Sequence, residues 1–92
     1  MRNRLMILRD ILSDCVRITG GLNSEIISSN HPTALFDWHG HVNCLAVDVY
    51  LTGYEKDVKP EIRWYLYVDR TDIAELAKYE EVLRMIAEEV EE

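Results

Sequence analysis

Three stretches in the middle of the chain alternate apolar and polar residues with a period of two, the pattern of strands that bury one face. Read as Ala34–His39, Val42–Thr52 and Ile62–Asp69, they place Phe36, Trp38, Leu45, Val47, Val49, Leu51, Ile62, Trp64, Leu66 and Val68 on one side. The opposite side carries Asp37, His39, Cys44, Asp48, Tyr50, Arg63, Tyr65, Tyr67 and Asp69. A two-residue turn at His39-Gly40 would pair Trp38 with His41, Phe36 with Asn43 and Leu35 with Cys44, and Gly53–Pro60 forms a longer polar connection. On this reading Trp38 and Trp64 are both buried.

The flanking segments change period. Leu5, Leu8, Leu12 and Cys15 recur at helical spacing within residues 3–19, with Ile11 and Ile18 widening the stripe, and Gly20-Gly21 supplies a C-cap. At the other end Thr71 or Asp72 can cap a helix, Asp72 with Glu75 approximating a capping box. Ile73, Leu76, Tyr79, Leu83, Ile86 and Val90 form its apolar stripe, with Val82 and Met85 on the far side. Between the first helix and first strand, Leu22–Pro32 reads as loop, with Ile26-Ile27 suited to a short edge strand or a further helical turn. The expected fold is therefore α+β, in the order α-β-β-β-α: a three-stranded antiparallel sheet with both helices packed on one face. At 92 residues the chain is a single domain, 1–92.

Charge adds what periodicity cannot. The formal net charge is −7, unevenly distributed. Residues 1–19 hold four arginines against Asp10 and Asp14, whereas residues 71–92 hold eight carboxylates against Lys78 and Arg84. Such a surface repels phosphate backbones and is attracted to basic proteins, so direct nucleic-acid binding is disfavoured. Carboxylates in Glu88-Glu89-Val90-Glu91-Glu92 sit at the negative end of a helix dipole and should fray the last turn. No apolar run approaches the ~20 residues of a membrane span and no leader opens the chain, which points to a cytoplasmic protein. Two widely spaced cysteines, Cys15 and Cys44, suit free thiols better than a disulfide framework.

Candidate chemistry is sparse. His31, Asp37, His39, His41 and Cys44 lie within fourteen residues and are all competent transition-metal ligands, but a turn at His39-Gly40 would divide them between faces. Neither a metal nor another cofactor is expected. A small metal-dependent or thiol enzyme using His31, His39, His41 and Cys44 is the catalytic alternative; a structural homodimer closed through the sheet face is a second. Phosphate-loop, dinucleotide and zinc-protease motifs are absent from the sequence.

The best-supported surface is the polar sheet face. Tyr50, Arg63, Tyr65 and Tyr67 are residue types enriched at binding hot spots, and Glu81, Glu88, Glu91 and Glu92 supply negative charge on the last helix. Double-stranded-RNA-binding domains share this order of elements, but the last helix opens Thr71-Asp72-Ile73-Ala74-Glu75, without the basic residues that grip phosphates. In size, charge and element order the chain is similar to compact acidic phage-encoded inhibitors, including anti-CRISPR and anti-restriction proteins, which occupy basic nucleic-acid channels with carboxylates. That resemblance implies a non-catalytic domain that binds a basic protein surface.

Overall fold

A computed structural model describes residues 2–20, 31–55 and 57–91. Its elements run α1 (Arg4–Thr19), β1 (Thr33–His39), a 3-10 turn (Gly40–Val42), β2 (Cys44–Tyr50), β3 (Ile62–Tyr67) and α2 (Ile73–Glu91), and the sheet is antiparallel with β2 in the centre. The α+β order read from the periodicity is the one observed. Ile26-Ile27 and Glu92 lie outside the described residues.

The helices begin and end where short-range chemistry requires. Asn3 Oδ1 accepts from the Met6 amide at 2.9 Å, satisfying one of the unpaired donors of the first turn of α1, and Gly20 closes the helix in the left-handed region at φ 104°. Asp72 Oδ1 accepts from the Ala74 amide at 3.3 Å, while Glu75 faces the Tyr79 hydroxyl at 3.4 Å instead of completing a capping box. The last turn of α2 is held to Glu91 because Arg17, reaching across from α1, binds Glu91 Oε1 through Nε at 3.1 Å and Nη2 at 2.5 Å. The positive charge missing from that end of α2 is thus supplied by the other helix, which offsets the expected fraying.

The hairpin joining β1 and β2 departs from the expected turn. Trp38 pairs with Leu45, Phe36 with Val47 and His39 with Cys44, and Gly40–Val42 with Asn43, at φ 54°, makes the connection. The register is displaced by four residues from one built on His39-Gly40. Because four is even, both faces keep their composition. Leu45, Val47 and Val49 are almost wholly buried under the helices together with Leu66.

The stripe of α1 is rotated from the one read in the sequence, whereas that of α2 faces the core as expected, with Leu76 and Leu83 buried and Ile73, Tyr79 and Ile86 packed against it. In α1 the buried residues are Ile7, Ile11, Asp14, Cys15 and Ile18, and Leu5 is exposed; in α2 they are Leu76, Glu80, Leu83 and Ala87. A carboxylate therefore occupies a core position in each helix.

The two tryptophans also differ from expectation. Trp64 is half-buried, its ring centroid 4.8 Å from that of Tyr79, whereas Trp38 is 46% exposed and Phe36 45%. The cause is the path of α1. Its C-terminal end is tied to the start of β1 by Thr19 at Ala34, and its N-terminal end to the far side of the sheet by Arg4, which donates to the carbonyls of Val68 and Thr71. A helix lying diagonally in this way leaves the corner holding Phe36 and Trp38 uncovered.

Candidate functional site

Neither helix covers the polar face of the sheet, and its residues fall in register. Across β2 and β3, Asp48 stands beside Arg63, Ala46 beside Tyr65 and Cys44 beside Tyr67; across β1 and β2, Leu35 is beside Asp48 and Asp37 beside Ala46. Tyr65 and Tyr67 are 60% and 40% exposed, flanking small residues that leave the rings standing above the sheet. Arg63 Nε binds Asp48 Oδ1 at 3.2 Å, so the pair presents a local ion pair and not a free cation. The Arg70 guanidinium lies 5.2 Å from the Tyr67 ring centroid.

Tyr50 does not belong to this exposed group. Its side chain is buried, with the Tyr54 ring edge-on to it at 5.1 Å between centroids. Strand parity places Tyr50 on the open side, but the chain after β2 turns back over it. Of the three tyrosines expected to act together, two are available.

The acidic set divides similarly. Glu81 and Glu88 are exposed on α2, as is the neighbouring Glu89, whereas Glu91 is engaged by Arg17, whose guanidinium holds the Glu91 carboxyl below the usual range. Glu92 is outside the described residues. The tyrosines and these glutamates come from different layers: the tyrosines stand on the helix-free face, and the glutamates on the outward side of a helix packed against the opposite face.

The histidines and Cys44 do not converge as a group. His31 precedes β1 and His39 ends it, so the length of that strand, roughly 3.3 Å per residue, separates them. His39 and His41 contact edge to face at 6.3 Å between centroids, and His39 Nε2 lies 3.4 Å from Asp37 Oδ2. Among the described residues no three side chains of ligand type are grouped to hold a metal ion. Cys44 is buried between its rung neighbours His39 and Tyr67. Cys15 is fully buried, and burial, then the adjacent Asp14 charge, pushes its thiol up to about 12, which removes it as a nucleophile near neutral pH.

Two features were missed in the sequence. The first is the uncovered corner, where Phe36, Trp38 and Leu45 with Leu8 and Leu12 of α1 line a groove of about 380 Å³. The signal was present, since Leu5, Leu8 and Leu12 form a second apolar stripe beside Ile7, Ile11 and Ile18, broader than one buried face needs.

The second is the buried carboxylate pair. Asp14 and Glu80 are 3% and 2% exposed at the contact between the helices. Arg2 Nη1 bridges Glu80 Oε1 at 2.8 Å and Asp10 Oδ2 at 2.9 Å, Arg17 Nη1 reaches Asp14 Oδ1 at 3.1 Å, and Arg84 Nη1 lies 3.9 Å from Glu80. Burial, then the hydrogen bond to Glu80, pushes the Asp14 carboxyl up to about 7. Burial pushes Glu80 up as well, but the Asp14 hydrogen bond and the two arginines outweigh it and leave Glu80 lowered. Asp14 Oδ2 has no partner among the described residues while both groups are ionised; a proton there donates to Glu80 and satisfies it. The signal was a carboxylate in core phase: Asp14 is three residues after Ile11 and four before Ile18, and Glu80 four after Leu76 and three before Leu83. The pair is closed to solvent, which suits a structural role better than acid-base catalysis.

Comparisons with protein-family models, curated proteins and solved structures produce no match to this chain, so its site is read from its own residues.

Proposed function

We propose that this chain is a non-catalytic protein-binding domain that engages a basic protein surface of the kind that otherwise holds nucleic acid. The observation that carries the reading is the coincidence of exposed aromatic side chains with unbalanced negative charge: Tyr65 and Tyr67 on one face of the sheet and Phe36 and Trp38 on the other, in a chain of net charge −7. Half-exposed aromatics contribute little to folding but bury large areas on docking, while carboxylates on α2 accelerate encounter with a cationic partner and disfavour phosphate. The mode of action is occlusion, as in the acidic phage inhibitors that the chain resembles in size and charge.

The test is to capture partners from the native host on immobilised protein, identify them, and measure whether the chain displaces nucleic acid from the purified partner. Displacement that depends on Tyr65 and Tyr67 supports the reading. A partner bound with nucleic acid still in place would limit it to binding without occlusion, and turnover of a substrate by the chain alone would overturn it.

A further inference from the structure

The backbone of β1 carries the clearest unused feature. The carbonyls of Asn43, immediately before β2, and of Val49 within it accept from the amides of Val68 and Glu61, on the β3 side, so odd-numbered β2 residues bond to β3 and even-numbered ones to β1. With Leu35 opposite Asp48 and Asp37 opposite Ala46, the odd-numbered residues of β1 bond inward, and Ala34, Phe36 and Trp38 direct their amide and carbonyl groups outward. The Thr19 hydroxyl meets both groups of Ala34, accepting from its amide at 3.0 Å and sharing its one proton between the carbonyls of Ala34 and Cys15, each at 3.2 Å. Among the described residues nothing meets the outward groups of Phe36 or Trp38. The strand contains no lysine, proline or bulge, and its guard against pairing is the single exposed charge of Asp37, which repels a like-charged strand and attracts a basic one.

Phe36 and Trp38 are also the residues whose side chains stand in the open groove against Leu8 and Leu12. Open backbone groups and an apolar trough at the same two positions are what strand addition requires. We propose that the β1 edge is the docking site for an extended segment of a partner protein in which apolar and basic residues alternate. This deepens the binding reading above and rests on it. Apolar side chains of the added strand enter the groove, and the basic ones, on the other face, meet Asp37, whose carboxylate is 75% exposed.

Charge decides against a second copy of the chain as occupant. An antiparallel self-pairing that uses only the free groups sets Phe36 opposite Trp38 of the copy, which brings the two Asp37 residues face to face on the non-hydrogen-bonded rung, where Cα atoms approach to about 4.5 Å. A pairing centred on Phe36 instead needs the Ala34 groups that Thr19 already holds. Two chains of charge −7 add repulsion at longer range.

The test uses a short peptide of alternating lysine and valine, titrated into the protein and followed by amide chemical shifts and hydrogen exchange. The proposal predicts shifts and slowed exchange at Phe36 and Trp38, abolished when alternate peptide amides are N-methylated, and affinity at least about tenfold weaker when glutamate replaces lysine. Phe36→Pro removes an outward amide at a position where an edge strand tolerates proline, and should weaken binding by more than Phe36→Ala, the native spectrum of each variant serving as the folding control. Asp37→Asn should weaken the lysine peptide alone. Responses confined to Tyr65 and Tyr67 would overturn the edge proposal while leaving the binding reading in place. Self-association of the free protein that is lost in Trp38→Lys would overturn it in favour of a second copy. No response in a folded protein would also overturn it, and displacement of nucleic acid from a captured partner then decides separately whether the binding reading survives.

Discussion

Asp14 of α1 and Glu80 of α2 meet across the helix contact, each all but sealed from solvent, with Arg17 on the first and Arg2 on the second. Two such carboxylates cannot both ionise cheaply, and the pair holds one proton up to about pH 7. An unfolded chain gives that proton up near the ordinary aspartate value. The folded state therefore binds more protons than the unfolded state between about pH 4 and 7, so stability is full at the low end of that window and falls as pH rises through it. The slope should approach about 1.4 kcal/mol per pH unit at most. Urea unfolding across this window checks it: Asp14→Asn, which keeps a donor toward Glu80 without a titrating proton, should flatten the decline. Arg17→Ala, which removes the charge that lowers Asp14, should move the decline to higher pH.

The same arginine links the ends of the two helices. Arg17→Ala should expose the last turn of α2 to faster amide exchange from Ile86 onward, with little effect on exchange in the buried middle of the helix because the Arg17–Glu91 pair is solvent-screened. Equal exchange in both proteins would show that α2 holds its own end.

Depth of burial, and not residue size, should rank the stability costs. Leu83→Ala, at a fully buried site, should cost about 2–5 kcal/mol. Phe36→Ala and Trp38→Ala, although they remove larger rings, should cost about 1 kcal/mol each, since half of each ring faces solvent. Chemical denaturation of the three variants settles the order.

Burial makes a parallel prediction for the thiols. Cys15 is inaccessible and its thiol is pushed up to about 12, and Cys44 is shielded within the sheet. Both should resist a disulfide reagent in the native protein and react together on global unfolding. Rapid native-state modification of Cys44 would reopen the thiol-enzyme alternative.

The element order was legible because period-two and period-3.6 patterns do not overlap along this chain, and strand faces survived a turn misplaced at His39-Gly40 because the register moved by an even number. What periodicity does not encode is where a helix lies on the sheet. The diagonal path of α1 depends on tertiary bonds from Thr19 and Arg4, and it is this path that buries Ile7 rather than Leu5 and leaves Trp38 in the open. Asp14 and Glu80 were overlooked because hydropathy treats a carboxylate as an outward residue, although both stand in core phase. At the site, strand parity found Tyr65 and Tyr67 but could not show that Tyr54 folds back over Tyr50.

The most direct measurement is the kinetics of association between this chain and its captured partner over a range of salt concentrations, for the wild type and two variants. Replacing Glu81, Glu88, Glu91 and Glu92 by glutamine should slow association and flatten its salt dependence, the α2 carboxylates being the source of long-range attraction. Replacing Tyr65 and Tyr67 by alanine should leave association nearly unchanged and speed dissociation by about tenfold or more, as expected for anchors that dock after encounter. Unaltered rates in both variants, with each still folded, would contradict binding through these surfaces.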